Sequence, residues 1–365
     1  MAAKTDRKSR ALLRSLPFAA IAAVACVDLL AGPRLGFLPL LTLGPTFASV
    51  SGSVRRTMAI GALALAVSLP LAYVSELLLT PQNNLTIATI IAVTGASALA
   101  SRLRIHRERE LANVRLVAEA AQRVLLRPVP RRADDLHIGL SYTSAAAEAQ
   151  IGGDLYEVVT TPAGVRLLIG DVQGKGLDAV EIAAWVLGAF REAAYDEPEL
   201  SAVGQRLENS LVRHLSGEKF VTAIIAEVHD GEISLLNFGH PAPLVIRHDG
   251  HAFFAEPQTE CPPLGLVSLS PSPARPSRLP FLDGDQILFY TDGVIEARDP
   301  FRNFYPLFER TKVLTDEDPQ VALDELRTDL LDHVGGPLGD DVAMLLLRRR
   351  CDSGPSDDDG GRAAE

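Results

Sequence analysis

Several aspartates in this sequence stand at the ends of predicted β-strands, where their carboxylates could bind cations. They are Asp154 after two glycines, Asp171 and Asp292 at the ends of apolar strands, and the pair Asp340 and Asp341 before the last strand. An acidic side chain leaving a buried strand is poorly placed for stability, and several together repel one another unless a cation lies between them. The pattern therefore indicates a cation site built from carboxylates.

The oxygen-only character of this set favours hard metal ions such as Mg²⁺ or Mn²⁺ over Zn²⁺. Two such ions can activate a water molecule and hold a phosphoryl group for in-line displacement. Each motif alone also has a plainer interpretation. Asp-Gly pairs are common in turns, Gly-Gly-Asp could be a loop, and Asp340-Asp341 could be a solvated strand start. Metal chemistry is favoured by the complete set and its order.

These motifs resemble those of the metal-dependent protein phosphatases of type 2C, in the bacterial branch typified by stage II sporulation protein E. The resemblance implies an α+β fold, namely an α-β-β-α sandwich of two antiparallel sheets flanked by helices. It also implies a phosphatase that acts on phosphoserine or phosphothreonine with two Mn²⁺ or Mg²⁺ ions. The stretches that carry it, in the family's order, are residues 152–156, 170–176, 237–241, 263–265, 290–298 and 339–341.

The resemblance also implies metal-binding roles for single residues. Asp171 would bridge both ions, and the backbone carbonyl of Val172 would bind the second ion. Asp154 would bind that second ion directly or through water, whereas Asp292 and Asp340 would hold the first. A water shared by both ions would attack the phosphate, which makes Asp171 and Asp292 the central catalytic residues.

Other motif residues either support this site or depart from the family pattern. Asp341 stands beside a ligand and could orient it. Asn237 and His240 match the Asn-x-Gly-His part of a family stretch that either contacts substrate or builds a strand-ending turn. Gln173 stands where eukaryotic members carry a histidine that is a candidate general acid, so that acid is missing here. Lys175 is interpreted as a solvated loop lysine.

Two further functional hypotheses belong to other classes. One is a membrane-tethered scaffold whose catalytic site has decayed, which the intact aspartate set argues against. The other is a nucleotide cyclase, suggested by Gly-Gly-Asp but not by the Leu155-Tyr156 that follows. A phosphate-binding loop at residues 174–176 is disfavoured, because no Ser or Thr follows the lysine.

Around the motifs, the sequence predicts paired strands and blocks of helices, which favours antiparallel sheets over a doubly wound fold. Strands are predicted at residues 137–142, 165–169, 221–228, 233–237, 244–246, 286–290 and 342–347. Helices are predicted at residues 178–194, 200–215 and 319–333.

The first hundred residues contain four apolar runs, at 16–31, 35–50, 58–79 and 85–100. A membrane-spanning helix needs about 20 apolar residues, so these runs predict about four spans. Basic residues cluster before the first run, after the second and after the fourth, which places both ends of the segment in the cytoplasm. The alternatives are a buried helical bundle and, for the first run alone, a signal peptide.

A helix at residues 102–126 is expected to link this segment to the catalytic domain. Its apolar residues have heptad spacing, which fits either a homodimer seam or packing on its own domain. They are Leu111, Val114, Ala118, Ala121 and Leu125. The predicted division is a transmembrane segment at 1–101, a linker helix at 102–130, a phosphatase domain at 131–350 and a disordered tail at 351–365.

The net charge and the cysteine spacing argue against some kinds of partner and site. The formal net charge is −11, which argues against nucleic-acid binding. Three widely spaced cysteines provide neither a zinc motif nor a disulfide framework. We therefore expect a multi-pass protein of the cell membrane with a cytoplasmic catalytic domain. Its substrate would be a phosphorylated regulatory protein, with an anti-sigma-factor antagonist as the example that the resemblance implies.

Overall fold

The computed structural model describes residues 2–31, 37–74, 80–144, 152–214, 219–270 and 274–350. The predicted disordered tail, residues 351–365, lies outside the described residues. The chain divides into two compact units, Met1–Asn113 and Val114–Glu365.

The N-terminal unit is helical in each of the four predicted apolar runs. Two stretches are long and apolar enough to cross a membrane, Val54–Val74 and Pro81–Val114, whereas Ser15–Leu30 and Leu38–Val50 are shorter. A 3-10 helix at Leu38–Thr42 interrupts the second run. The helices are α1 (Ala2–Ala31), α2 (Leu43–Ser51), α3 (Val54–Val74) and α4 (Pro81–Leu125).

Small and hydroxylated residues bring α3 and α4 close together. A Cβ on Gly61 would lie 2.2 Å from Cγ2 of Thr94, so only glycine fits there. The hydroxyl oxygens of Thr57 and Ser101 are 3.1 Å apart, and both side chains are buried. Close backbone approach and hydroxyl bonding are typical of helix pairs in membranes.

The linker predicted at residues 102–126 is the second half of one 45-residue helix, α4. Of its heptad residues, Leu111 and Val114 are exposed, whereas Ala121 and Leu125 pack against Val180 in the C-terminal unit. The last turn of α4 therefore packs on its own domain, which was the alternative to a homodimer seam. The side chain of Ala118 is not among those described.

The C-terminal unit contains two antiparallel sheets. Its strands are β1 (Arg132–Ala133), β2 (Leu136–Thr143), β3 (Asp154–Thr161), β4 (Gly164–Val172), β5 (Val221–His229), β6 (Glu232–Phe238), β7 (Leu244–Ile246), β8 (Ala252–Phe254), β9 (Ser277–Pro280), β10 (Gln286–Tyr290) and β11 (Val342–Arg349). One sheet has the order β1-β2-β11-β10-β7-β8 and the other β3-β4-β5-β6-β9.

Helices cover the outer faces of both sheets, so the unit has four layers. Along β4, Leu168 faces the helices on its sheet while Leu167 and Ile169 face the other sheet, as the two-residue period of a strand requires. The helices are α5 (Leu177–Asp196) and α6 (Leu200–His214) on the five-stranded sheet, the short α7 (Asp292–Ile295), and α8 (Pro319–Val334) on the six-stranded sheet. The predicted α-β-β-α sandwich is confirmed.

All the strands and helices predicted around the motifs are present, with bounds that differ by a few residues. Residue 215, the predicted end of the second helix, lies outside the described residues. Four strands were not predicted: β1, β8 and β9, which have two to four residues, and β3, which begins at Asp154.

A buried arginine fastens the helical layer to the five-stranded sheet. The Arg166 side chain on β4 is 1% exposed and forms an ion pair with Glu227 of β5. Its guanidinium also donates to the carbonyl oxygens of Ala194 in the last turn of α5 and of Glu197 and Pro198 between α5 and α6. Removing a buried charge from such a network leaves its partners unpaired.

We therefore expect Arg166→Ala to lower the free energy of unfolding of this unit by about 3–5 kcal/mol. Urea unfolding of the full chain, followed by fluorescence of Trp185 on α5, measures this change, because Trp185 is the single tryptophan. Arg278→Ala, at an exposed position on β9, is the control and should change it by at most about 0.5 kcal/mol. Equal losses in both variants would contradict this role for Arg166.

Candidate metal centre

The first two aspartates are brought together by the pairing of β3 with β4. In this antiparallel register Asp154 lies directly opposite Asp171. Asp154 is 3% exposed, and its Oδ2 accepts a hydrogen bond of 2.9 Å from Oγ1 of Thr291. Since Thr291 follows β10 in the other sheet, this bond connects the two sheets at the edge where the aspartates gather.

Thr291 also fixes the position of Asp292, the next residue. Its backbone N–H donates to the carbonyl oxygen of Ala343, and its hydroxyl accepts from the Ala343 N–H. Asp292 then begins α7, so its carboxylate leaves the sheet at the end of β10. Thr291 was not among the residues predicted from the sequence, although its place directly before Asp292 was a usable signal.

Asp340 forms an ion pair with Lys175, which is exposed in a loop as predicted. Lys175 Nζ lies 2.8 Å from Asp340 Oδ1, and the hydrogen bond with Asp340 raises the pKa of Lys175. The same Oδ1 accepts the backbone N–H of Asp341 at 3.0 Å. The ammonium group of Lys175 thus occupies a place beside the acidic cluster that a metal ion could share or take over.

Asp341 is buried at 2% exposure and is held by hydroxyl groups. Its Oδ2 accepts a 2.7 Å hydrogen bond from the hydroxyl of Tyr142, and its Oδ1 accepts a 3.4 Å bond from Oγ of Ser144. These contacts hold the Asp341 side chain itself, and its role in orienting Asp340 stays a prediction.

Glycines allow the backbone to approach these carboxylates. A Cβ on Gly152 would lie 1.9 Å from Oδ2 of Asp341. A Cβ on Gly153 would lie 2.6 Å from Oδ1 of Asp171 and 2.4 Å from the carbonyl oxygen of Val172. The Gly-Gly-Asp motif therefore leaves space beside three oxygen atoms, including the carbonyl that the family resemblance assigns to a metal.

The electrostatics of the cluster favour a cation. Burial and then the Asp171 carboxylate raise the pKa of Asp154 well above its usual value. Burial, Asp292, Asp340 and Asp341 raise the pKa of Asp171 to about 7. Burial, followed by nearby carboxylates, also raises the pKa of Asp292. Since ionising each group costs free energy, divalent cations would stabilise the ionised cluster.

Within the described residues, no three His, Cys, Asp or Glu side chains converge closely enough to enclose a metal by themselves. Mg²⁺ commonly keeps several water ligands and binds through one or two carboxylates. The carboxylates and carbonyl oxygen gathered here suit hydrated Mg²⁺ or Mn²⁺, and the absence of thiolate and imidazole groups among them disfavours Zn²⁺.

Asn237 and His240 lie behind this cluster and hold the chain in place. The Asn237 side chain donates to the His240 carbonyl and accepts the His240 N–H, which closes a turn after β6. Nδ1 of His240 lies 3.1 Å from the Thr222 hydroxyl, and Nε2 lies 3.1 Å from the Tyr290 carbonyl oxygen. Burial lowers the pKa of His240 to about 4, so it stays neutral and links the two sheets.

The side chain of Gln173 is exposed beside this edge, and its backbone N–H donates to Phe220. Next to Asp340, Glu296 and Arg298 line a cavity of about 410 Å³. The Arg298 guanidinium lies 4.3 Å from the ring centroid of Phe304. The cavity gives these two motif residues a position beside the cluster.

Residues 161–350 match the sequence model of the family described as "Stage II sporulation protein E (SpoIIE)". The chain belongs to the SpoIIE family. Among curated proteins, Protein IcfG of Synechocystis sp. is 24% identical over 153 residues, which cover 40% of this chain and 23% of IcfG. The chain thus matches under a quarter of the length of that relative.

Solved structures show the fold of the SpoIIE-family unit. The SiaA-PP2C domain of Pseudomonas aeruginosa has a TM-score of 0.54 at 14% identity, covering 67% of this chain and 98% of that domain. The PP2C phosphatase domain of Bacillus subtilis SpoIIE, with a fragment of its regulatory domain, has a TM-score of 0.50 at 17% identity, covering 59% of this chain and 62% of that one. The C-terminal unit therefore has the PP2C fold.

Mutual repulsion in the cluster predicts that Asp171→Asn raises the free energy of unfolding of the metal-free protein by about 0.5–2 kcal/mol. The same variant should lose most of the stabilisation that Mn²⁺ gives the wild type. Unfolding followed by Trp185 fluorescence, with chelator or with Mn²⁺, measures both effects. Asp324→Asn, an exposed carboxylate on α8, is the control and should change neither.

The sign of the pH dependence follows from the raised pKa of Asp171, about 7 in the folded protein. Between about 4 and 7 the folded state binds more protons than the unfolded chain. The contribution of Asp171 to the stability of the metal-free protein should therefore be least unfavourable below about pH 4 and become more unfavourable as the pH rises through 7. It is measured as the difference in unfolding free energy between Asp171→Asn and wild type, and a difference that does not grow over this range would contradict the repulsion argument.

Proposed function

We propose that this chain is a metal-dependent protein phosphatase that hydrolyses phosphoserine or phosphothreonine on a regulatory protein. The observation that carries the proposal is the cluster of Asp154, Asp171, Asp292 and Asp340, assembled between two sheets of a PP2C fold. Membership of the SpoIIE family supports it. The scaffold and cyclase hypotheses are not favoured, because the aspartate set and the fold are those of the phosphatases.

The metal ligands in this proposal are those that the motifs suggest. Asp171 would bind both ions. Val172, through its carbonyl oxygen, and Asp154 would bind one ion, and Asp292 and Asp340 would bind the other. When bound, the two divalent ions supply Lewis-acid activation of water and neutralise charge on the phosphoryl group.

The protein's own groups position this chemistry. Thr291 holds Asp154 by a hydrogen bond, and the Gly152–Gly153 backbone leaves room for the Asp171 carboxylate and the Val172 carbonyl. The cationic Lys175 partly balances the charge of Asp340. Because Gln173 cannot donate a proton as an acid, the leaving hydroxyl would take its proton from water or Lys175.

The partner that fits this proposal is a phosphorylated regulatory protein, of which an anti-sigma-factor antagonist is one example within the SpoIIE family. In this proposal a multi-pass membrane segment at residues 1–101 anchors the protein, and the catalytic domain lies in the cytoplasm. Two helices of sufficient length and apolarity support the anchor. The exposed Leu111 and Val114 on α4 are the residues through which a homodimer would pack.

The full-length chain should release phosphate from a phosphothreonine peptide with Mn²⁺ or Mg²⁺ and not with chelator. Asp171→Asn and Asp292→Asn should each lower kcat by at least about 100-fold, because each removes a ligand of the activating ions. Asp324→Asn is the matched control and should keep wild-type activity. Unchanged activity in both ligand variants, or release in chelator, would reject the proposed mechanism.

The chain should sediment with membranes and remain there after high-salt and alkaline carbonate washes, because only detergent removes spanning helices from lipid. Protease added to inside-out vesicles should digest the C-terminal unit, whereas right-side-out vesicles should protect it. A peripheral protein washed off by carbonate is the matched control. Recovery of the chain in the supernatant would argue against a membrane anchor.

A further inference from the structure

The last turn of α4 is in direct contact with residues beside the acidic cluster. Gln122 on this turn is 8% exposed, and its Nε2 donates to the Tyr142 hydroxyl at 2.8 Å. The same amide nitrogen lies 3.4 Å from the carbonyl oxygen of Gly152. A side chain amide has two N–H donors, so both contacts can be made together.

Tyr142 passes this connection on to Asp341. Its hydroxyl accepts a hydrogen bond from Gln122 and donates one to Asp341 Oδ2, so each donor in these two linked hydrogen bonds faces an acceptor. The Tyr142 ring also lies 6.1 Å from the ring of Tyr156 on β3, centroid to centroid. Hydrogen bonds linked in this way polarise and strengthen one another in a low-dielectric environment.

Gly152 lies against both ends of this series of hydrogen bonds. Its carbonyl faces Gln122, while its Cα is so close to Asp341 Oδ2 that a Cβ would overlap that atom. Asp341 in turn donates its backbone N–H to the carboxylate of Asp340. Movement of any member therefore changes the spacing between the segment that leads to Asp154 and the turn that carries Asp340.

One further hydrogen bond holds the same helix turn. Arg191 of α5 donates to the carbonyl oxygen of Leu125, at the C-terminal end of α4. Arg191 is also paired with the buried Glu157 of β3, three residues after Asp154. A cation at a helix C-terminus satisfies its free carbonyls and complements its dipole. The turn that carries Gln122 is thus anchored independently of Gln122 itself.

We propose that Gln122 and Tyr142 are positioning residues for the metal centre. Through Asp341 and Gly152 they hold Asp340 and Asp154 at the spacing that two divalent cations require. The proposal rests on the function proposed above, because it assumes that these aspartates bind metal. It makes the end of the linker helix a structural part of the catalytic site.

The test is calorimetric titration of Mn²⁺ into the metal-stripped full-length chain. Tyr142→Phe keeps the ring and removes the hydroxyl, and should raise the Mn²⁺ dissociation constant about tenfold. Gln122→Met keeps the length of the side chain and removes its donors, and should raise the constant several-fold. The double variant should raise the constant by clearly less than the product of the two single effects, because both substitutions break the Gln122–Tyr142 hydrogen bond.

Tyr305→Phe is the matched control. The Tyr305 hydroxyl donates to Asp329 at 2.6 Å, which is also a tyrosine–carboxylate bond, in the part of the unit formed by α8. Tyr305→Phe should leave the Mn²⁺ dissociation constant within about twofold of wild type. With saturating Mn²⁺, the KM for a phosphothreonine peptide should stay unchanged in Tyr142→Phe, since the substitution acts on metal positioning.

Several results would overturn the proposal. One is a Mn²⁺ dissociation constant of Tyr142→Phe within about twofold of wild type. Another is an equal loss of Mn²⁺ affinity in Tyr305→Phe, and a third is fully additive effects of Tyr142→Phe and Gln122→Met on that affinity. A wild type that binds no Mn²⁺ would overturn it as well. A wild type that binds Mn²⁺ but releases no phosphate would reject the phosphatase function alone, because the comparison of affinities still tests the positioning role.

Discussion

Carboxylates that are buried side by side repel one another, and the C-terminal unit gathers several of them at one edge of its sandwich. The apolar strands fix the backbone of Asp154 and Asp171, so these residues cannot move apart without breaking the sheet. Single hydrogen bonds from Thr291 and Tyr142 orient individual oxygens, but they add no positive charge. The metal-free site therefore has a charge imbalance that divalent ions would correct.

The same constraint explains why both sheets are needed. Asp154 and Asp171 belong to one sheet, and Asp292 and Asp340 to the end of one strand and the start of another in the second sheet. Their distances depend on groups that cross between the sheets, chiefly Thr291 and the neutral His240. Packing of the apolar inner faces thus controls the geometry of a polar site.

Apolar periodicity predicted antiparallel sheets with blocks of helices, and the family resemblance implied the sandwich that the structure shows, because strand patterns and short motifs are local features. Strand β3 was not predicted, although the two valines and two threonines at residues 158–161 are β-branched residues typical of strands, because the preceding Gly-Gly-Asp was interpreted as a motif or a loop. Lys175 is exposed in a loop, as interpreted from the sequence, but its ion pair with Asp340 joins residues that are 165 positions apart in the chain and was not predicted. Tyr142 and Asp341 are separated by 199 residues, and no local pattern reveals such a contact.

The fit of Gly152 against Asp341 has a consequence for the genetics of this protein. A screen for inactive alleles would be expected to return substitutions at Gly152 together with substitutions of the aspartates, although Gly152 has no side chain to offer a metal. Even alanine would place a methyl carbon inside the contact distance of Asp341 Oδ2. Such a screen could not distinguish Gly152, where any side chain is sterically excluded, from an aspartate that binds metal. Only measured metal affinities of the variants would separate the two.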